Sequence, residues 1–217
     1  MIILGLTGSI GMGKSTAGAM LRHLGIPLHE ADEEVHTLLG PDGKAVPAVC
    51  TEFPLYEFPM IYGKKDKTGR RPLKRKELGA LIFSDDEKRE ALEAILHPFI
   101  REAQNIFIRT QSVSGQKIIA LDIPLLFETG GENLVDYIIT MSAPAFIQKE
   151  RVLSRTGMNN EKFKKILDRQ MSDGEKCLRS NFIIHTGLGR AHMMKELKSV
   201  LQQIIEKHKI KKIAAYE

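Results

Sequence analysis

The sequence has two cysteines, no tryptophan and no long apolar run, and these absences exclude several classes of protein. Cys50 and Cys177 lie far apart and outside any metal-binding spacing, which argues against a disulfide framework and favours a reducing compartment. The longest apolar runs, such as residues 118–121, fall far short of the roughly 20 residues that span a membrane. Met1 leads directly into a strand-like segment without a signal-peptide pattern. We therefore expect a cytoplasmic protein with no membrane partner.

The composition is that of an ordinary globular α/β domain, or of a core domain with a small insertion. Of 217 residues, 42% are hydrophobic and 27% are charged. Residues 62–77, the basic segment, hold eight cations and two acids, a net +6 within a whole-chain charge of +5. This leaves −1 for the rest of the chain. Such a local patch suits a polyanionic small ligand or nucleic acid, and a solvated loop has the same composition.

Hydrophobic periodicity predicts a parallel sheet. Helical segments separate the strand-like ones, and such βαβ crossovers give a parallel sheet covered on both faces. The long gap between the second and third strands predicts a mostly helical insertion that contains the basic segment. Residues 145–180 predict a second insertion with two helices. The strand-like segments are 2–6, 26–29, 117–123, 136–141 and 181–185.

Local signals predict where several helices begin and end. Gly25 is expected just after the first helix. Ser84 and Glu87 have the spacing of a capping box at the start of a long amphipathic helix. Pro98 is expected to kink that helix or to split it. Pro144 is expected in the first turn of a later helix.

Residues 8–15, the phosphate loop, match the pattern G-x-x-x-x-G-K-[ST] between the first predicted strand and the first predicted helix. Glycines let the backbone wrap closely around a phosphate with N–H groups pointing inward, and the helix N-terminus adds its positive end. Lys14 can then reach the β- and γ-phosphates, and the Ser15 hydroxyl can bind Mg²⁺. The segment therefore predicts binding of a nucleoside triphosphate.

Among proteins that bind such nucleotides, the sequence favours a small-molecule kinase. It has no Asn-Lys-x-Asp pattern for guanine, and residues 66–69 spell D-x-x-G without a preceding apolar strand. Residues 118–122 form an apolar strand that ends in an acid, as in motor ATPases, but residues 124–128 are unusual for that class. A small-molecule kinase instead needs a carboxylate at the acceptor and mobile arginines over the phosphates.

Both features have candidates in the sequence. Asp32 follows the second strand, at the edge where α/β sheets bind ligands, and can accept the proton of an attacking hydroxyl. It also has the position of an N-cap. Gln148, Arg151 and Arg155 share one helical face, and Phe146 falls on the opposite face, available for packing. Exposed cations are usually only solvated, but their place in a helical insertion favours a lid.

Several segments together resemble the dephospho-coenzyme A kinase family, in the correct order over almost the whole chain. The phosphate loop alone is shared by many families, whereas its combination with Leu-His-Pro and Pro-Leu-Leu-Phe-Glu is specific. The matching segments are 5–16 (Gly-Leu-Thr-Gly-x-Ile-Gly-x-Gly-Lys-Ser-Thr), Ala31-Asp32, 95–98 (Ile-Leu-His-Pro), 124–128 (Pro-Leu-Leu-Phe-Glu), Gln148 with Arg151 and Arg155, 169–171 (Arg-Gln-Met) and 183–187 (Ile-Ile-His-Thr-Gly).

The resemblance implies transfer of the γ-phosphoryl group of ATP to the ribose 3′-hydroxyl of dephospho-coenzyme A, the last step of coenzyme A synthesis. It implies a P-loop kinase fold with a five-stranded parallel sheet, a helical acceptor-binding insertion and a small helical lid. The expected core comprises residues 1–30, 112–144 and 180–217. Residues 31–111 form the insertion and residues 145–179 the lid. The expected cofactors are ATP and Mg²⁺, and the expected assembly is a monomer.

The same resemblance implies roles for single residues. Asp32 is the base and contacts the acceptor, while Arg75 and His97 line the acceptor side. Arg151 and Arg155 clamp the phosphates and, with Lys14 and Asp32, form the catalytic set. Ser15 is the metal ligand. The residues expected to bind the nucleotide are Gly8, Gly11, Met12, Gly13, Lys14, Ser15 and Thr16.

The chain departs from the family pattern at several positions. Ser9 replaces a glycine, which is tolerable if Ser9 avoids positive φ. The other departures leave the catalytic lysine, the metal-binding serine and the base unchanged, so we expect activity, although contacts to adenine and to the acceptor are open. Those departures are Glu30 for Asp, Lys74 for Asp, Ser180-Asn181 for Ala-Asp, and His185 for Asp.

Two alternatives remain open from the sequence. A nucleoside or nucleoside monophosphate kinase shares the core and the lid arginines, but the Leu-His-Pro segment argues against it. A nucleic-acid-dependent ATPase would use the basic segment, where Tyr62 is the only aromatic residue available for stacking. We therefore expect a small-molecule partner and no nucleic acid.

Overall fold

The computed structural model of the protein describes residues 1–67 and 69–210; Thr68 of the basic segment and residues 211–217 of the predicted core lie outside them. The described chain forms an α/β fold with a five-stranded, all-parallel sheet in the order β2-β3-β1-β4-β5. The predicted fold class is confirmed, and each strand lies within two residues of its expected position. The strands are β1 (Ile2–Thr7), β2 (Leu28–Glu30), β3 (Ile118–Asp122), β4 (Tyr137–Ser142) and β5 (Phe182–His185).

Helices fill most of the remaining described chain. Residues 145–180 contain three helices rather than the two predicted, because the short segment 173–179 is helical as well. The helices are α1 (Lys14–His23), α2 (Ala31–Leu38), α3 (Val46–Glu52), α4 (Arg75–Ser84), α5 (Asp86–Val113), α6 (Ala145–Leu153), α7 (Asn160–Asp168), α8 (Asp173–Arg179) and α9 (Arg190–Lys207). Within residues 1–67 and 69–210, none of them is long and apolar enough to cross a bilayer.

The chain divides into two compact units, the first comprising residues 1–30 and 108–217 and the second residues 31–107. The first unit is built around the sheet. Its central strands are almost continuously apolar, as expected when helices cover both faces of a parallel sheet. Leu4, Leu6 and Ile119 are fully buried, and residues of α1 and α9 complete this core. Since β1 pairs with both β3 and β4, the phosphate loop leaves the middle of the sheet.

The second unit is helical and has its own core. Leu38 of α2, Phe53 after α3, Leu78 of α4 and Leu92 of α5 are buried together. The Tyr62 hydroxyl donates a hydrogen bond to the Phe53 carbonyl at 2.5 Å. Burial raises the pKa of the Tyr62 phenol, so it stays protonated.

The basic segment folds back on itself at the surface of this unit. Tyr62 and Leu73 form an antiparallel bridge, and the Asp66 N–H donates to the Arg70 carbonyl at 2.8 Å. Both Lys64 and Lys65 are exposed. Residues 62–67 and 69–73 of the segment are therefore paired as a hairpin, and their cations face solvent.

The predicted capping box at the start of α5 is wrong by one residue. Ser84 ends α4, and the Asp85 carboxylate accepts the Lys88 N–H at 3.1 Å. A carboxylate suits a helix N-terminus because it is charged, and hydrogen bonds from Lys88 lower the pKa of Asp85. The acid therefore takes the capping position that the sequence pattern assigned to the serine.

The predicted helix-ending glycine is confirmed, one of the two outcomes expected for Pro98 is excluded, and Pro144 differs from expectation. Gly25 follows α1 with φ 75°. Pro98 lies inside α5 without splitting it, since the preceding turn is held by the buried Leu92 and Leu96. Pro144 is the N-cap of α6 rather than a residue of its first turn.

Candidate active site

The phosphate loop joins β1 to α1 in a conformation that depends on glycine. A Cβ atom on Gly11 would lie 2.6 Å from Val152 Cγ2, so a larger residue would clash with α6. Ser9 does not have positive φ, so its departure from the family pattern introduces no backbone strain there. The loop glycines with positive φ are Gly8 (149°), Gly11 (79°) and Gly13 (88°).

Lys14 begins α1 and forms an ion pair with Asp122 at the end of β3. Nζ and Oδ1 are 2.8 Å apart, and the side chains are 13% and 7% exposed. The pair lies at the carboxyl edge of the sheet because β1 and β3 are neighbours with Leu6 opposite Asp122. Asp122 was not among the predicted site residues. The sequence did contain a signal for it, since residues 118–122 form an apolar strand that ends in this acid. We interpreted that pattern only as a feature of motor ATPases.

The first turn of α1 continues the site toward solvent. Ser15 is exposed, and the Thr16 N–H donates to the Gly13 carbonyl at 3.1 Å. Leading N–H groups of a helix have no intrahelical partner and attract anions. The structure thus brings together the loop glycines, Lys14, Ser15 and Asp122 in one region of the first unit.

The two acids on either side of Ala31 have different surroundings. Glu30 ends β2, and its Oε2 lies 2.5 Å from Arg22 Nη2 in an ion pair. Asp32 is exposed in the first turn of α2. Its interpretation as an N-cap is wrong, because the helix begins directly after the strand at Ala31.

The polar face of α6 packs inward, contrary to the expectation that Phe146 is on the packing side. Phe146 is 71% exposed, whereas Gln148 is 6% exposed. Gln148 Nε2 donates to the Ile10 carbonyl of the phosphate loop at 2.8 Å. The face turns inward because hydrogen bonds with the loop satisfy its polar atoms.

The two arginines expected to clamp phosphates differ in their surroundings. Arg151 donates to the Thr186 hydroxyl at 2.9 Å and to the Thr186 carbonyl at 2.7 Å. Arg155 is exposed and lies beyond the last residue of α6. The clamp role of both arginines remains a prediction.

The other two acceptor-side candidates belong to the second unit, as does Asp32. Arg75 begins α4 and donates to the carbonyl of His36, one turn after Asp32 on α2, at 3.3 Å. His97 is exposed on α5. Within this unit the structure thus places Arg75 beside α2, and the roles of both residues remain predictions.

The segment at residues 124–128 has a structural use. Lys176 of α8 is fully buried, with Nζ 2.8 Å from Glu128 Oε1 and 3.3 Å from the Pro124 carbonyl. Glu128 also accepts the Met171 N–H at 2.8 Å. Through these contacts, residues 124–128, which follow β3, bind both Met171 before α8 and Lys176 within it.

Glu196 of α9 connects two histidines near the end of β5. Its carboxylate accepts the His185 N–H at 2.6 Å and lies 3.1 Å from both the His185 and His192 rings. Burial would raise the pKa of Glu196, but these hydrogen bonds together lower it. Glu196 therefore fixes His185, the residue that replaces the usual acid just before Thr186.

Comparison with known sequences gives one consistent family. The dephospho-CoA kinase family model matches residues 2–189. The dephospho-CoA kinase of Paramagnetospirillum magneticum is 48% identical over 176 residues, which cover 81% of this chain and 78% of that protein. The dephospho-CoA kinase of Novosphingobium aromaticivorans is 40% identical over 206 residues, which cover 95% and 96% of the two chains.

Comparison with solved structures agrees. The crystal structure of TT1252 from Thermus thermophilus has a TM-score of 0.69 at 30% identity, covering 94% of this chain and 97% of that one. A dephospho-CoA kinase from Campylobacter jejuni has a TM-score of 0.66 at 28% identity, covering 95% and 98%. The resemblance inferred from the motifs is confirmed. This chain belongs to the dephospho-CoA kinase family.

Proposed function

We propose that this kinase transfers the γ-phosphoryl group of ATP to the ribose 3′-hydroxyl of dephospho-coenzyme A, with the phosphate loop binding ATP and Asp32 acting as the base. The observation that supports this most directly is the ion pair of Lys14 with Asp122. It holds a cation, mostly shielded from water, at the start of α1 and beside the glycine-rich loop. A fixed cation at this position stabilises the charge of a transferring phosphoryl group.

The N-terminus of α1 and the loop receive the phosphates. The leading backbone N–H groups of a helix lack intrahelical partners and bind phosphate oxygens, although that of Thr16 donates to the Gly13 carbonyl here. Lys14 reaches the β- and γ-phosphates from its place beside Asp122. Catalysis here consists mainly of positioning and charge stabilisation, since phosphoryl transfer requires little covalent chemistry from the protein.

The residues at this edge fit Mg²⁺. Ser15 offers a hydroxyl oxygen and Asp122 a carboxylate oxygen, the ligand types that this hard cation prefers. Among the residues that the structure describes, no cluster of three or more acidic, histidine or cysteine side chains could hold a metal alone. That suits a cation held partly by substrate phosphates. When bound, Mg²⁺ neutralises phosphate charge.

Asp32 is the better of the two candidate bases. The Glu30 carboxylate is engaged by Arg22 at 2.5 Å, whereas Asp32 is exposed at the start of α2. A fixed carboxylate can orient the 3′-hydroxyl in line with the leaving oxygen and accept its proton. This division of roles assigns catalysis to the second acid of the pair.

The second unit binds the acceptor. Arg75 and His97 line this side, and the exposed cations of the basic segment attract the pyrophosphate of dephospho-coenzyme A. Arg151 and Arg155 of the lid, residues 145–179, close over the ATP phosphates during transfer. We also propose a cytoplasmic location, which the two free cysteine thiols support, and a monomeric assembly.

The test is phosphorylation of dephospho-coenzyme A by the purified protein with Mg-ATP. Adenosine and pantetheine serve as controls because each carries only part of the acceptor. We expect product with dephospho-coenzyme A and little with either fragment. Faster turnover of adenosine would favour a nucleoside kinase, and stimulation of ATP hydrolysis by DNA or RNA would favour a nucleic-acid-dependent ATPase.

A further inference from the structure

Every carbonyl group from Ser9 to Gly13 in the phosphate loop accepts a hydrogen bond. In a trans peptide the C=O and the following N–H point in opposite directions. The Ile10 carbonyl points at its donor, so the N–H of Gly11 in the same peptide points away from that donor. The Met12 carbonyl and the Gly13 N–H are related in the same way. The donors are Met12 N–H to Ser9 (3.1 Å), Gln148 Nε2 to Ile10 (2.8 Å), Arg151 Nη1 to Gly11 (3.4 Å), Thr186 Oγ1 to Met12 (2.8 Å), and the N–H groups of Thr16 and Ala17 to Gly13 (3.1 Å each).

Two of these donors are neutral, buried side chains from distant parts of the chain. Gln148 of α6 and Thr186 after β5 are 6% and 4% exposed. The Thr186 hydroxyl accepts from Arg151 at 2.9 Å, so its own proton is free to point at Met12. Both residues thus present a fixed donor to a loop carbonyl.

The backbone N–H of Ile10 is bound by a side chain as well. Gln170 Oε1 accepts the Ile10 N–H at 3.0 Å. The next residue, Met171, is tied through its N–H to Glu128, which pairs with the buried Lys176. Gln148 therefore donates a hydrogen bond to the Ile10 carbonyl, and Gln170 accepts one from the Ile10 N–H.

The loop needs such external bonds because of its glycines. Gly11 and Gly13 adopt positive φ here, and glycine reaches other conformations just as readily. A peptide that turned over would place a carbonyl oxygen where a phosphate oxygen binds. The carbonyl oxygen and the phosphate oxygen, both negatively charged, would then repel each other.

We propose that Gln148 and Thr186 are positioning residues for ATP, which hold the Ile10 and Met12 carbonyls turned away from the phosphates. This inference rests on the proposed function only in that the loop binds ATP. It assigns the two residues no contact with either substrate. Their effect is to keep the loop N–H groups ready for phosphate before ATP arrives.

The first test compares Gln148→Glu with Gln170→Glu, two substitutions of the same shape and charge. At position 148 the change replaces the donor with a carboxylate oxygen that faces a carbonyl. At position 170 it keeps an acceptor for the Ile10 N–H. We expect ATP affinity, measured by calorimetry, to fall about ten- to hundredfold for Gln148→Glu and to stay within about threefold for Gln170→Glu. Equal losses in both variants would overturn the proposal.

A second pair tests Thr186 without adding charge. Thr186→Val removes the hydroxyl with little change in shape, and Thr186→Ser keeps it. We expect a loss of ATP affinity of about tenfold for the valine and near-normal affinity for the serine. A valine variant that binds ATP as the unmodified protein does would overturn the role of Thr186.

Positioning and folding give different results in these experiments. A variant that is only less well folded loses binding stoichiometry and apparent kcat, while the Kd and KM for ATP stay unchanged. That outcome would overturn the proposal, which expects weaker ATP binding at full stoichiometry and an unchanged KM for dephospho-coenzyme A. If the unmodified protein binds ATP but does not phosphorylate dephospho-coenzyme A, the proposed function fails while the calorimetry still decides this inference.

Discussion

The phosphate loop and the acceptor-side candidates differ in how firmly the fold holds them. Lys14 is paired with Asp122, and the carbonyls of residues 9–13 in the loop all have donors. Asp32, Arg75 and His97, by contrast, are exposed on helices of the second unit. One part of the proposed site is built from fixed dipoles, and the other from side chains that face solvent.

This difference follows from the chemistry of the two substrates. The transferring phosphoryl group is small and highly charged, so donors fixed in advance stabilise it without reorganisation. Dephospho-coenzyme A is long and flexible, and cations can attract it without such a fixed arrangement. Changes around the loop should therefore alter ATP binding and transfer, and changes in the second unit should alter steps that involve the acceptor.

The largest expected effect is that of Lys14→Ala. Removing this cation leaves the charge of the transferring phosphoryl group poorly stabilised, so we expect kcat to fall about a thousandfold. Initial rates at saturating Mg-ATP and dephospho-coenzyme A measure the change. Lys117→Ala, at an exposed lysine before β3, is the control and should leave kcat unchanged. Near-normal turnover of Lys14→Ala would contradict the assignment of the loop.

Next in size is the contrast between the two acids around Ala31. Asp32→Asn keeps the shape but removes the base, so we expect kcat to fall about a hundredfold with ATP still bound. Glu30→Gln loses a partly exposed ion pair with Arg22, which contributes about 1 kcal/mol at most to stability, and should change kcat little. Both variants are measured under saturating Mg-ATP. A larger loss in Glu30→Gln would reverse the roles.

The sequence allowed most of the fold to be predicted, because its signals are local. The five strands are short apolar runs between helical patterns, and Gly25 marks the end of α1. The errors occurred where neighbouring residues compete for one position. Asp85 rather than Ser84 caps α5, and Pro144 is the N-cap of α6 rather than a residue of its first turn.

The site was predictable only where it is contiguous in sequence. The phosphate loop is one segment, and its pattern predicts roles for Lys14 and Ser15, which remain predictions. Asp122 and Thr186 come from strands and turns more than a hundred residues away, and sheet pairing brings them to the loop. The strand that ends in Asp122 suggested a different class of ATPase, and Thr186 appeared only within a segment that matches the family. Their places follow from the strand order, which local periodicity does not determine.

A smaller effect is expected from Arg155→Ala. This exposed arginine is proposed to meet the γ-phosphate on lid closure, so it should act mainly in the transition state. We expect kcat to fall about tenfold while the KM for dephospho-coenzyme A stays nearly unchanged. Steady-state kinetics with each substrate varied in turn separate the two constants. A large rise in the acceptor KM would instead place Arg155 on the acceptor side.

The basic segment should produce an effect of a few-fold that depends on salt. Reversing two exposed charges, in Lys64→Glu/Lys65→Glu, should lower kcat/KM for dephospho-coenzyme A about fivefold at low ionic strength and much less at high salt. The KM for ATP should not change. The matched control is Lys117→Glu/Lys198→Glu, at two exposed lysines of the first unit. Equal losses in both double variants would show that only the net charge matters.

The smallest expected effect concerns Glu196, which holds the backbone before Thr186 and so supports the loop from a distance. Its pKa is lowered from the ordinary value of 4.5 in the folded state, so its stabilisation is complete above pH 4.5 and is lost as the pH falls further. Glu196→Gln should lower the free energy of unfolding by less than about 1 kcal/mol at pH 7. Urea unfolding at pH 7 and at pH 4 or below measures this, and the difference between the variant and the unmodified protein should shrink at acid pH. Glu161→Gln, at an exposed glutamate of α7, should show no comparable change, and a Glu196 effect that is already lost well above pH 4.5 would contradict the direction of the pKa shift.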